Sequence, residues 1–248
     1  MQRPSPSAVI LAAAMCLPTL TRAGSDGPTG SLLARSRAVY ARLHTYLDRG
    51  VVQTEYRGAA GPPLIERHTF TTVYRAPRQF LLDFHRDPKL PQERYVVWGD
   101  DEAFHTWWSE TRVQQDFPKG RGATAFALSA LPTHDVVTII PPLLFANAGL
   151  QGAVANLSEL RDVGPEAIDG LPCEKLEGRL DLAYRTGNVT GAREVMVWID
   201  RRTLLVRRVF EDTPQGSGTG VVSTVTFTFS PTADPALDRA RFRFAPPQ

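Results

Sequence analysis

Hydrophobic and polar residues alternate along two long stretches of the chain, which predicts antiparallel strands. Between residues 51 and 117 the alternation recurs in short runs separated by turn residues, and it returns between residues 172 and 244. The last run is the clearest, with Val225, Phe227 and Phe229 on one face and threonines between them. Successive side chains of a strand point to opposite faces, so each run has one apolar face. The pattern predicts about ten or eleven strands.

Two parts of the chain have a different pattern. Apolar residues recur at helical spacing from Leu32 to Leu47, and Ser31 is positioned to cap a helix there. Residues 123–131 and 135–150 are nearly uncharged, and a Pro-Pro pair in the second stretch is typical of a helix start. We therefore predict an opening amphipathic helix and one or two short, very apolar helices in the middle of the chain.

The number of strands constrains the shape of the fold. A sheet of this size does not stay flat, because the twist between neighbouring strands accumulates. We predict a mainly β (α+β) fold: a curved antiparallel sheet that forms an open half-barrel, with the helices covering its concave face. In this prediction residues 31–248 form a single domain that follows a flexible leader of residues 24–30.

The N-terminus has the features of a cleavable export signal. Arg3 precedes an apolar run at residues 8–20, and Thr21 and Ala23 are small residues at the two positions that a signal peptidase recognises. The apolar run is shorter than the roughly 20 residues that a membrane-spanning helix needs. We predict a signal peptide of residues 1–23, cleavage near Ala23, a periplasmic mature protein and no transmembrane segment in it. A membrane anchor and lipidation at Cys16 are the alternatives.

Charge and cysteine content narrow the possible functions. The chain has a formal net charge of +2, and the mature part is neutral once Arg3 and Arg22 are removed. Nucleic-acid binding needs clustered cations, so no nucleic-acid partner is expected. Cys173 is then the single cysteine, which excludes an intramolecular disulfide and a four-cysteine metal site. Its apolar neighbours predict that it is buried.

The sequence contains no recognisable motif for catalysis or cofactor binding. Its five histidines lack HExxH-type spacing, and neither a GxSxG motif nor a glycine-rich phosphate loop followed by lysine occurs. We therefore predict no enzyme activity, no catalytic residue, no metal site and no cofactor. An unrecognised hydrolase is the third-ranked hypothesis.

Aromatic residues are concentrated on the predicted strands. Core packing explains most of them, but a wide curved sheet with few covering helices can also enclose a ligand. Residues 141–149 predict a helix that is apolar on every side. Such a helix must be covered on several sides or lie against a ligand-filled cavity. We predict that this helix is a movable lid. The predicted ligand-binding residues are Phe70, Tyr74, Phe80, Phe84, Phe104, Trp108, Leu143, Leu144, Phe145, Trp198, Phe210 and Phe227.

Several short motifs follow one another in an order that resembles a known family. They are residues 74–80 (YRAPRQF), 97–101 (VWGDD), 141–144 (PPLL), 197–200 (VWID) with Thr203 and Arg207-Arg208, and 242–247 (FRFAPP). In this ordered set the chain resembles the LolA/LolB-like family of periplasmic lipoprotein carriers. Residues 168–173 (IDGLPC) are more similar to uncharacterised exported relatives of that family.

The resemblance implies a half-barrel of antiparallel strands, a lid of helices and a hydrophobic cavity that takes lipoprotein acyl chains. One difference concerns the residue that latches the lid in the carrier, which is an arginine directly before a proline. Here Ala76 precedes Pro77, and Arg75 lies one residue earlier. A shift of one residue along a strand turns a side chain to the opposite face.

Together these observations predict a periplasmic, non-enzymatic protein that binds a lipid or the acyl chain of a lipoprotein. The predicted role is that of a carrier or chaperone for delivery to the outer membrane. The alternative hypothesis is an envelope sensor or regulatory module that uses the same fold to bind a protein partner.

Overall fold

The computed structural model describes residues 28–58, 61–90, 92–100, 102–118, 124, 127–128, 136–181, 192–212 and 222–247. The predicted signal peptide and nearly all of the predicted apolar helix at 123–131 lie outside these residues. Residues 28–30, predicted as the end of the leader, belong to the first helix. Within the described ranges, no helix has the length and apolar character needed to cross a membrane.

All strands belong to one antiparallel sheet. Helix α1 spans Pro28–Tyr40, α2 spans Pro141–Leu144, and 3-10 turns span Val136–Thr138, Ala146–Ala148 and Arg239–Phe242. The strands are β1 Thr45–Arg57, β2 Leu64–Arg75, β3 Gln79–His85, β4 Arg94–Gly99, β5 Ala103–Trp108, β6 Val113–Pro118, β7 Ser158–Ile168, β8 Leu171–Asp181, β9 Ala192–Asp200, β10 Val206–Asp212, β11 Val222–Phe229 and β12 Thr232–Ala233.

The order of the strands leaves the sheet open. The order is β6-β5-β4-β3-β2-β1-β11-β10-β9-β8-β7, and β12 pairs with the start of β1. Strands β6 and β7 are therefore the two edges of the sheet. The predicted mainly β architecture with an open antiparallel sheet is confirmed, with twelve strands in the described residues where ten or eleven were predicted.

The main core lies between one face of the sheet and two covering parts of the chain. These parts are α1 and residues 136–157. We call residues 136–157 the cover segment, and we call the face of the sheet that both parts cover the concave face. Val52 of β1 lies opposite Phe227 of β11 on this face. Both join Leu33 and Tyr40 of α1 in one buried apolar cluster. Burial of this surface from water is the main force that holds the cover on the sheet.

The opposite face, which we call the convex face, carries two smaller apolar clusters. Phe244, near the C-terminus, packs on Trp98 and Trp107 with ring centroids 5.1 and 5.4 Å apart. The second cluster contains Ile168, Cys173 and Trp198, with Met196 and Phe210 packed against it. Cys173 is fully buried, as its neighbours predicted.

The opening helix ends earlier than its spacing predicted. It stops at Tyr40, whereas the apolar pattern continues at helical spacing to Leu47. The backbone N–H groups of His44 and the next residue both donate to Asp234 Oδ1, at 2.8 and 3.0 Å. This contact comes from a residue near the other end of the chain, so local spacing carries no signal of it. Tyr46 and the residues after it pair with β2 instead of extending the helix.

Strand β7 has no counterpart in the sequence prediction. It forms one edge of the sheet, most of its residues are exposed, and it pairs with β8 through two register shifts. Gly164 within it has a φ of 111°, which a residue with a side chain rarely adopts. A mostly exposed edge strand needs no continuous apolar alternation, so the pattern that identifies the other strands is missing.

The predicted lid helix of residues 141–149 is broken into two short turns. Helix α2 ends at Leu144, and a 3-10 turn follows that ends at Gly149, whose φ is 68°. Residues 141–145 are buried, but residues 146–149 are exposed. The prediction of a single helix over residues 141–149 is therefore wrong, and only residues 141–145 face the core.

Candidate functional site

Nine of the twelve predicted ligand-binding residues meet in the buried cluster of the concave face. They are Phe70, Tyr74, Phe80, Phe84, Phe104, Leu143, Leu144, Phe145 and Phe227. Trp108 is partly buried and packs against the same cluster. Because these residues come from β2, β3, β5, β11 and the cover segment, distant parts of the sequence build one continuous apolar surface.

Phe145 forms the centre of the contact between the cover segment and the sheet. Its ring centroid lies 5.2 Å from that of Tyr74, 5.4 Å from that of Phe80 and 5.9 Å from that of Phe104. All three contacts are edge-to-face, a favoured geometry for aromatic pairs. Gly99 of β4 makes room for this cluster, because a Cβ there would lie 2.6 Å from the Phe104 ring.

Trp198 and Phe210 are not brought to the concave face. Trp198 lies between Val197 and Ile199, which both belong to the main cluster, so its side chain points to the convex face. Lys175 Nζ lies 4.8 Å from the centroid of the Trp198 ring. Phe210 packs against the same convex cluster. Both faces are apolar here, so alternation alone did not indicate which face binds the cover.

Several backbone hydrogen bonds of the cover segment are made within the segment. The N–H of Phe145 donates to Pro141 O at 2.9 Å, and that of Ala153 donates to Thr138 O at 3.0 Å. Its contact with the sheet through Phe145 is made by apolar side chains. A segment built in this way can leave the sheet without breaking a strand ladder, so its opening costs apolar burial rather than sheet hydrogen bonds.

Arg37 of α1 holds the C-terminal part of the cover segment. Its Nε and Nη2 donate to Val154 O at 3.2 and 2.8 Å, and Nη2 also donates to Leu157 O at 3.4 Å. Burial lowers the pKa of Arg37. This contact joins residues more than a hundred positions apart, which is why the sequence pattern did not identify it.

Replacing Arg37 with methionine is expected to lower the free energy of unfolding by about 1–3 kcal/mol, because two partly buried carbonyl groups lose a charged donor. Arg42→Met is the matched control, since Arg42 Nε donates to Ala38 O at an exposed position just after α1. Urea denaturation measures both variants. Equal stability of Arg37→Met and Arg42→Met would show that the Arg37 contact does not hold the cover segment.

Arg75 does not contact the cover segment. It donates to Leu237 O and, at 3.2 Å, to Gln79 Oε1, and its guanidinium lies 4.9 Å from the centre of the Phe242 ring. These partners place it against the C-terminal segment on the convex face. The arginine shifted by one residue relative to the family motif therefore holds the C-terminus instead of a lid.

A buried carboxyl group lies under α1 at one end of the concave face. Asp48 is fully buried; the Tyr46 hydroxyl donates to its Oδ2 at 3.2 Å, and the Ser230 N–H donates to its Oδ1 at 2.8 Å. Burial raises the pKa of Asp48 to about 7, although these hydrogen bonds act in the opposite direction. Asp48 has the same strand phase as Tyr46 and Val52, but the helical spacing that continues to Leu47 concealed this phase in the sequence.

The other buried charges on the concave face form an ion pair. Arg193 Nη1 lies 2.6 Å from Glu211 Oε2, and the Glu211 side chain is fully buried. Within the described residues, no group of three His, Cys, Asp or Glu side chains is arranged to hold a metal ion. The described geometry thus consists of an apolar surface beneath the cover segment, a buried carboxyl group and a buried ion pair.

Comparisons with known proteins concern the fold. No family profile and no curated protein sequence matches this chain. One similar solved structure is LprF from Mycobacterium bovis, which is 16% identical over 85% of this chain and 94% of that chain, with a TM-score of 0.48. Another is lipoprotein LppX from Mycobacterium tuberculosis, which is 14% identical over 84% of this chain and 98% of that chain, with a TM-score of 0.46. A LolA superfamily protein from Nitrosomonas europaea is similar at 11% identity, over 87% and 97%, with a TM-score of 0.34.

The family that the sequence motifs resemble is thus represented among the similar solved structures. Every one of the three TM-scores is below 0.5. A likeness at this level does not assign a ligand or a partner to this chain.

Proposed function

We propose that this protein binds the acyl chain of a lipid or lipoprotein on its concave face, beneath the cover segment. The observation that supports the proposal is the position of Phe145, whose ring occupies the centre of an aromatic surface built by Tyr74, Phe80 and Phe104. A hydrocarbon chain can replace that ring, because apolar burial and dispersion are not specific for an aromatic partner.

The cover segment is the part that moves in this proposal. No residue of the segment belongs to a strand of the sheet, so opening costs the burial of its apolar residues, among them residues 141–145, and the hydrogen bonds from Arg37. An incoming acyl chain restores apolar contacts to the sheet and offsets that loss. The protein then acts as a periplasmic, non-enzymatic carrier or chaperone, exported by its N-terminal signal, and a protein or membrane of the cell envelope receives the ligand.

Replacing Phe145 with aspartate is expected to abolish binding of a fluorescent fatty acid while the protein still folds. A charge at this position would lie on the acyl-chain surface, where charges are costly, and the cover can turn it to water only by leaving the sheet. Asn147→Asp is the matched control, because it adds the same charge at an exposed position of the same segment. Fluorescence titration and circular dichroism measure binding and folding.

Two results would contradict the proposal. Unfolding of Phe145→Asp under conditions in which Asn147→Asp is folded would show that the cover segment is fixed core. A folded Phe145→Asp variant that binds the fatty acid as the wild type does would remove the acyl site and favour the partner-binding alternative. Mass spectrometry of organic extracts from natively purified protein is an independent test, in which a co-purifying lipid is the expected result.

A further inference from the structure

The two edge strands of the sheet differ in how open they are to a further strand. Strand β7 pairs with β8 through two register shifts, and Glu159 and Gly164 within it have positive φ angles of 50° and 111°. Bulged edges of this kind hinder the addition of another strand. Strand β6 pairs with β5 in one unbroken register over all six of its residues, and no described strand lies on its other side. The regular edge of the sheet is therefore β6.

Strand β6 presents exposed side chains and backbone groups along its outer side. Five of its six residues are exposed, and Val113 is 52% exposed although it is apolar. About half of the backbone N–H and C=O groups of such a strand point away from its one neighbour. Asp116 is its single charged residue, and Pro118 ends it without an N–H for a ladder. A regular edge with an exposed apolar residue and one charge is a template for another strand.

The residues of β6 are chemically symmetric about Gln115. Val113 and Phe117 lie two positions to either side of it and share its concave side of the strand, whereas Gln114 and Asp116 are its direct neighbours on the convex side. When two such strands pair antiparallel with Gln115 opposite Gln115, Val113 of one copy lies opposite Phe117 of the other. Gln114 then lies opposite Asp116. Each apolar residue meets an apolar one, and the two carboxylates are not opposite each other.

The convex side of β6 already makes the polar contact that this pairing would repeat between two copies. Within one chain, Gln114 Nε2 donates to Asp116 Oδ1 at 2.8 Å, and His105 Nδ1 lies 2.7 Å from the same oxygen. The Asp116 side chain is 59% exposed. Its other carboxylate oxygen can therefore accept a hydrogen bond from Gln114 of a second copy while these contacts remain.

We propose that two copies of this chain form a dimer through β6, with the two strands paired antiparallel about Gln115. Opposite residues lie on the same face of a sheet, so the concave face of one copy continues into that of the other. One pair of short strands buries less surface than the roughly 1,200 Å² of a standard interface. The dimer is therefore weak, with an expected dissociation constant of about 1–100 µM. This inference does not depend on the proposed ligand.

Sedimentation velocity measures the association at protein concentrations from about 1 to 300 µM. The wild type is expected to change from monomer to dimer within this range. Gln115→Lys and Gln115→Glu each place two like charges opposite each other at the centre of the pairing, which should weaken the dimer about fivefold or more. An equimolar mixture of the two variants should associate at least as tightly as the wild type, because each lysine then lies opposite a glutamate.

Ala167→Lys and Ala167→Glu are the matched controls, since Ala167 is exposed on the opposite edge strand, β7. Neither should change the association, and circular dichroism checks that all four variants are folded. A wild type that is still monomeric at about 300 µM would overturn the proposal. A dimer that the Gln115 variants leave unchanged, or that the Ala167 variants weaken equally, would also overturn it. If the mixture does not restore association, the pairing about Gln115 is wrong.

Discussion

Phe145→Ala is expected to destabilise the ligand-free protein and, at the same time, to bind a fluorescent fatty acid more tightly than the wild type. The ring is almost fully buried and touches three aromatic rings of the sheet. Its removal should lower the free energy of unfolding by about 3–5 kcal/mol, the range for large-to-small changes of phenylalanine in a core.

The two effects have opposite signs because Phe145 competes with the ligand. In the wild type an acyl chain must first displace the ring, and the energy of that displacement is subtracted from the binding energy. When the ring is absent, this cost falls, and each ~1.4 kcal/mol recovered tightens binding about tenfold. We therefore expect a gain in affinity of at least about tenfold, measured by fluorescence titration beside urea denaturation.

Phe244→Ala is the control for this pair of measurements. Phe244 packs on Trp98 and Trp107 of the convex face, so its removal should lower stability without changing the affinity for the fatty acid. If Phe145→Ala lost both stability and affinity, the ring would contact the bound ligand instead of competing with it for the site. The proposal that the cover segment opens would then be wrong.

The alternation of the sequence predicts strands well where only one face is apolar. In β11 the buried residues Phe227 and Phe229 alternate with threonines, and both the strand and its concave face follow directly from the pattern. In β9 the residues on either side of Trp198 are also apolar. Because the convex face is covered there as well, the sequence indicates a strand but not the face that binds the cover.

Long-range polar contacts set the features that the sequence did not predict. The end of α1 depends on Asp234, which binds two backbone N–H groups about 190 positions earlier. The C-terminal part of the cover depends on Arg37. No local pattern relates these residues, since the contacts exist only after the sheet has brought both ends of the chain together. The buried acid Asp48 was missed for another reason, because the helical spacing to Leu47 hid the start of β1 at Thr45.

Replacing Asp48 with asparagine is expected to remove a large part of the pH dependence of stability between pH 4 and pH 7. The folded protein keeps Asp48 protonated up to a pKa of about 7, because burial penalises the carboxylate more than Arg207, the Tyr46 hydroxyl and the Ser230 N–H stabilise it. An unfolded chain ionises aspartate near pH 3.9.

The sign of the effect follows from the number of bound protons. Between these two pKa values the folded state holds one proton more at Asp48 than the unfolded state does, so the free energy of unfolding falls as the pH rises. A separation of about three pH units corresponds to at most about 4 kcal/mol. Below pH 4 both states are protonated, and above pH 7 both are ionised, so the loss is confined to this window.

The measurement is the difference in unfolding free energy between the wild type and Asp48→Asn at pH 4, 5, 6 and 7. Taking the difference cancels the acids whose pKa is lowered, such as Asp200, where backbone N–H groups and Arg207 outweigh burial. The wild type should lose stability relative to the variant at each step toward pH 7. A difference that stays constant from pH 4 to pH 7 would mean that Asp48 ionises normally, and that the end of the concave face beneath α1 is reached by water.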